Sequence, residues 1–65
     1  TYSDETIVAK VSESLGRNVQ GVSFDVTSDQ GKVHIRGPST DLKSQAINVA
    51  KGISGVKLVS YSSDS

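Results

Sequence analysis

One stretch limits the fold more than any other: Gly31-Lys32-Val33-His34-Ile35-Arg36-Gly37-Pro38, an alternating segment with a glycine at each end. Side chains alternate across a strand, so Val33 and Ile35 share one face while Lys32, His34 and Arg36 share the other. Gly31 suits a turn position with positive φ. Gly37-Pro38 stops the strand by joining a permissive residue to one without an N–H. A strand that is apolar on one face only needs a covering layer on that face, and the chain on either side must supply it.

The preceding segment supplies a helix and a partner strand. Ser3 reads as an N-cap, with Asp4 and Glu5 in a first turn where negative charge favours the helix dipole. Ile7, Val11 and Leu15 recur every fourth residue with Val8 beside them, and Gly16 reads as the C-cap, so the first helix spans 4–15. Lys10, Glu13 and Ser14 lie off the stripe and face solvent. After a loop at 16–21, Val22, Phe24 and Val26 alternate with Ser23, Asp25 and Thr27. Turn residues at 28–31 then close a β-hairpin over 22–37.

The following segment repeats the logic. Ser39 or Thr40 caps a second helix over 40–52, with Asp41 in its first turn. Leu42, Ala46, Val49, Ala50 and Ile53 form its apolar face, with Ile47 at the edge. A last strand covers 56–62. Its inward set is either Val59 with Tyr61 or Val56 with Leu58. The order α-β-β-α-β gives an α+β, two-layer sandwich: a three-stranded mixed sheet covered on one face by two helices. A right-handed β-α-β crossover makes the last strand parallel to the central one.

Size and composition narrow the function. A chain of 65 residues makes one domain and buries only roughly 60% of its unfolded surface, which leaves little room for a core plus a deep cleft. Seven Lys+Arg balance seven Asp+Glu, which argues against a dedicated nucleic-acid binder. No run of residues is apolar and long enough for a membrane span. With no cysteine and a single histidine, the chain has neither a thiolate metal site nor a set of triad partners. We therefore expect no enzyme, no metal and no cofactor. The serine-rich end reads as that of a domain cut from a longer protein.

The motifs resemble those of the BON domain, the bacterial module named for osmotically induced and nodulation proteins. Asp4-x-x-Ile7-x-x-x-Val11-x-x-x-Leu15 looks like the family's opening, and Gly31-x-Val33-x-Ile35-x-Gly37 is similar to its central G-x-V-x-L-x-G. Ala46-x-x-x-Ala50-x-x-Ile53-x-Gly55-Val56-x-x-Val59 resembles its ending. Two departures stand out: Pro38, and Tyr61 and Ser63 where the family commonly has an asparagine and an aliphatic residue. The resemblance implies a non-catalytic binding module of the periplasm or cell envelope. Its expected partner is anionic phospholipid at a membrane surface or another envelope component. The alternative is a structural or protein-interaction module that uses the open sheet face or an edge strand to dock on other domains of the parent protein or on another copy.

The candidate ligand-binding residues are Lys32, His34 and Arg36 on the solvent face of the central strand, and Lys43, Lys51 and Lys57 around the second helix. Cations in a row can hold an anionic surface at roughly 1 kcal/mol each. The plain alternative is a solvated face, with Asp25 and Ser23 offsetting the charge. Lys43 and Lys51 lie two turns apart on one flank, yet that flank has no exposed Trp, Phe or Leu to insert into lipid. Tyr2 and Tyr61 are aromatic residues that exposure would make available. Gly52-Ile53-Ser54-Gly55 matches the G-x-x-G of KH domains, where the loop is usually basic and joins two helices. Here it is uncharged and reads as a helix stop, which disfavours an RNA-binding KH relative.

Overall fold

The computed structural model describes residues 3–63; Tyr2 and the two final residues of the serine-rich end lie outside the described residues. Helix α1 (Asp4–Asn18) is followed by β1 (Asp25–Asp29), β2 (Lys32–Gly37), a single 3₁₀ turn (Thr40–Leu42), α2 (Lys43–Lys51) and β3 (Leu58–Ser63). The fold is α+β, in the order α-β-β-α-β. The sheet order is β1-β2-β3, with β1 antiparallel and β3 parallel to the central β2.

The helices pack against the Val33 and Ile35 side of β2. Ile7, Val11 and Leu15 from α1, Val33 and Ile35 from β2, and Ala46 and Ala50 from α2 form one buried cluster. The two alanines let α2 approach closely while α1 contributes the bulk. Phe24, Val26, Val49, Ile53, Val56, Val59 and Tyr61 pack around this cluster.

The elements differ from the sequence reading in several places, each with a local cause. Helix α1 does not stop at Gly16. Gly16 keeps a negative φ, and Val19 is the C-cap, its N–H donating to the Leu15 carbonyl at 2.8 Å. Arg17 pairs with Glu13, and the Asn18 side chain donates to the Ser14 carbonyl at 2.8 Å, so the last turn is held by its own side chains. Ser14 is half-buried rather than fully solvated.

Strand β1 begins at Asp25 rather than Val22. In the observed register Phe24 would face Gly37 and Val22 would face Ser39, but β2 ends at Gly37 because Pro38 has no N–H to extend the ladder. The second helix opens as a 3₁₀ turn with Ser39 as its cap, its Oγ accepting from the Asp41 N–H at 3.2 Å. Strand β3 starts at Leu58 rather than at residue 56, because the chain first crosses Gly31: the N–H groups of Lys57 and Leu58 both donate to its carbonyl. Val59 and Tyr61 are the inward set of β3, and Leu58, Ser60 and Ser62 face out.

Candidate functional site

The face of the sheet turned away from the helices is a three-by-three array. Register sets Asp25, Thr27 and Asp29 of β1 opposite Arg36, His34 and Lys32 of β2. It sets Leu58, Ser60 and Ser62 of β3 opposite Lys32, His34 and Arg36. All nine residues are exposed. The array therefore has an acidic column, a cationic column and a neutral column, spaced about 4.8 Å apart.

His34 sits at its centre. Its Nδ1 lies 3.0 Å from the Ser60 hydroxyl and its Nε2 lies 3.2 Å from the Ser62 hydroxyl. Thr27 donates its hydroxyl to the His34 carbonyl at 3.5 Å. Both ring nitrogens thus face β3, which fixes the imidazole and holds the two serines in a row beside the cations.

Leu58, at one corner of the array, is 59% exposed. It stands beside Lys32, so the β2–β3 half of the face combines cations, hydroxyls and one large apolar side chain. Leu58 is the residue that sequence reasoning missed as a surface group. The alternation of β3 contains the signal, since Leu58, Ser60 and Ser62 form one set. Val56 hid it by extending an apolar reading of that same set into the loop.

The structure brings Lys32, His34 and Arg36 together and separates them from the other cations. Lys43 and Lys51 lie on α2, in the layer on the opposite side of the sheet. Lys57 precedes β3 at the hairpin end, its stem crowding the open side of Gly31. Tyr61 is half-buried and donates its hydroxyl to the Ser39 carbonyl at 2.5 Å. Gly52–Gly55 joins α2 to β3, with Ile53 packed against the core. Among the described residues no group of three His, Asp or Glu side chains gathers as a metal site requires, and no helix is long and apolar enough to cross a membrane.

At the hairpin end, Asp4 ties α1 to the sheet. Its carboxylate accepts from the Ser28 hydroxyl at 2.8 Å, the Gln30 N–H at 3.1 Å and the Gly31 N–H at 3.4 Å. The Gln30 N–H, then the Ser28 hydroxyl and the Gly31 N–H, hold the Asp4 carboxyl below the usual carboxylate range against an opposing desolvation effect. The loop needs this support because Gln30, a non-glycine residue, has φ 53° beside Gly31 at 88°. Asp4 thereby sets the position of Lys32, the first cation of the array.

The BON domain family model matches residues 3–62. No curated protein matches the chain. The match runs from the N-cap of α1 to Ser62 in β3 and includes both helices and the whole open face. It suggests a small envelope-associated binding module. The chain belongs to the BON domain family.

Proposed function

We propose that this BON domain is a non-catalytic module of the bacterial periplasm or cell envelope that rests on anionic phospholipid through the β2–β3 half of its open sheet face. The observation that carries this reading is the pairing of exposed Leu58 with the cationic column Lys32, His34 and Arg36. A cation next to an exposed aliphatic side chain matches a bilayer surface, where phosphates lie just above acyl chains. The acids that would repel phosphate are confined to the outer column on β1.

Charge arithmetic makes the attraction modest. Asp25 and Asp29 formally cancel Lys32 and Arg36, and one strand spacing is shorter than the Debye length of about 8 Å at physiological salt. The favourable term comes from geometry: tilting toward β3 brings the cations closer to the lipid than the acids.

The test is co-sedimentation with vesicles of phosphatidylcholine alone or mixed with phosphatidylglycerol. Binding rises with phosphatidylglycerol content and falls with salt. Lys32→Ser combined with Arg36→Ser weakens it by about tenfold, and Leu58→Ser weakens it independently. Lys43→Ser with Lys51→Ser leaves it unchanged. Binding indifferent to the anionic lipid, or lost only with the α2 lysines, refutes the assignment.

A further inference from the structure

Strand β1 is an edge of the sheet, on the side away from β3. Its two-residue loop makes Asp29 and Lys32 the closing pair of the hairpin. Ladder alternation then turns the N–H and C=O groups of Asp25, Thr27 and Asp29 toward β2, and those of Val26 and Ser28 outward. Alongside this edge runs the flank of α1. Glu5, Val8 and Ala9 form a shallow groove with Val26, Thr27 and Ser28, and its floor is mostly apolar. A row of outward backbone groups beside an apolar shelf is the geometry that accepts an added strand.

Charge selects which strand. A segment paired to β1 would place alternate residues on the open face beside Asp25 and Asp29, and the intervening ones in the groove by Val8 and Val26. Cations fit the first set and aliphatic side chains fit the second. The molecule already displays this fit on the other side of β1. There, Arg36 and Lys32 of β2 stand opposite Asp25 and Asp29, while Val33 and Ile35 turn inward. A second copy of β1 is a poor occupant, because antiparallel pairing centred on Thr27 sets Asp25 of each copy against Asp29 of the other, and like charges directly opposite are destabilising.

We infer that the β1 edge and its groove bind an extended segment of a partner protein in which Lys or Arg alternates with aliphatic residues. This site lies on the opposite edge of the sheet from Leu58 and does not depend on the lipid reading.

The experiment is an amide NMR titration of the isotope-labelled domain with three capped heptapeptides. One alternates Lys with Val, one has the same composition with its lysines contiguous, and one carries Glu in place of Lys. The alternating peptide gives saturable shifts centred on Val8, Ala9 and residues 26–28. The contiguous peptide binds at least about fivefold more weakly, and the Glu peptide does not bind. Asp25→Lys with Asp29→Lys reverses the preference between the Lys and Glu peptides. Ala9→Lys, at an exposed helix position, weakens the alternating peptide without touching the β1–β2 pairing. Equal binding of the alternating and contiguous peptides overturns the inference. So do shifts centred on residues 32–36, an unchanged affinity in Ala9→Lys, or concentration-dependent shifts of the groove without peptide, which would reveal a second copy there. Loss of peptide binding with vesicle binding intact, or the reverse, separates this site from the lipid face.

Discussion

Gly37 closes β2 where the chain has no room for a methyl group. A Cβ built on it would lie 2.2 Å from the Tyr61 hydroxyl oxygen and 2.9 Å from both the Tyr61 Cζ and the Phe24 Cε1. Comfortable contacts lie at about 3.5–4.0 Å, so in Gly37→Ala the tyrosine ring must retreat by more than about 1 Å. That movement breaks the hydrogen bond from the Tyr61 hydroxyl to the Ser39 carbonyl, which anchors the start of the second helical segment to β3. Overpacking of this kind costs about 1–3 kcal/mol and the lost hydrogen bond about 0.5–1.5 kcal/mol. Against this, alanine gains about 0.5–1 kcal/mol over glycine in an extended segment. A net loss of about 2 kcal/mol is a large part of the ~3–10 kcal/mol that a domain of this length can have. The assay is urea unfolding followed by circular dichroism, on Gly37→Ala, Tyr61→Phe and the double variant. Removing the hydroxyl deletes both the hydrogen bond and the nearest clash, so Tyr61→Phe destabilises the parent but costs little in the Gly37→Ala background. The two changes couple by about 1 kcal/mol or more. A single variant within about 0.5 kcal/mol of the parent, or strict additivity, would show that the close approach imposes no constraint.

Gly16→Ala should stabilise the domain by about 0.5–1 kcal/mol, because Gly16 is helical and its Cβ position is open; a loss of stability in the same urea assay would mean that it caps the helix after all. Asp4 has a folded-state pKa below its unfolded value, so its contribution to stability is present above the unfolded value and lost as pH falls through the folded one. Stability measured from pH 2 to 6 should therefore separate the parent from Asp4→Asn at the upper end and converge at the lower, and a constant gap would exclude the carboxylate as the cause.

Much of the architecture was legible because a few residues carry two messages at once. In Val33 to Arg36, strict alternation specified both the strand and the face that the helices must cover. In Ile7, Val11 and Leu15, the four-residue spacing specified both the helix and its buried stripe. What could not be read depended on contacts distant in sequence. Gly16 has the composition of a cap, but the i,i+4 pairs at its back and the burial of Val19 carry the helix onward. Phe24 has strand alternation, yet whether it pairs is decided by Pro38 on another segment. The inward set of β3 is decided by its register with β2, which no local pattern encodes. The candidate site divides in the same way. The cationic column on β2 was visible in the sequence, whereas its flanking columns are products of pairing: the acids stand level with the cations, and Leu58 stands beside Lys32.

The parallel pairing of β2 and β3 also sets how the domain responds to tension. Asp4 lies at the hairpin loop, and β3 starts at that end and runs to Ser63 at the other. The two ends of the described chain are thus separated by the length of the sheet, about 20 Å for a six-residue strand. Force applied through them pulls β3 lengthwise along β2, loading the slanted hydrogen bonds of that ladder together rather than one after another. Such a domain resists stretching along its strands far better than peeling of β3 sideways from the edge. In a protein tethered at one end and held at the other, it acts as a rigid link rather than a spring.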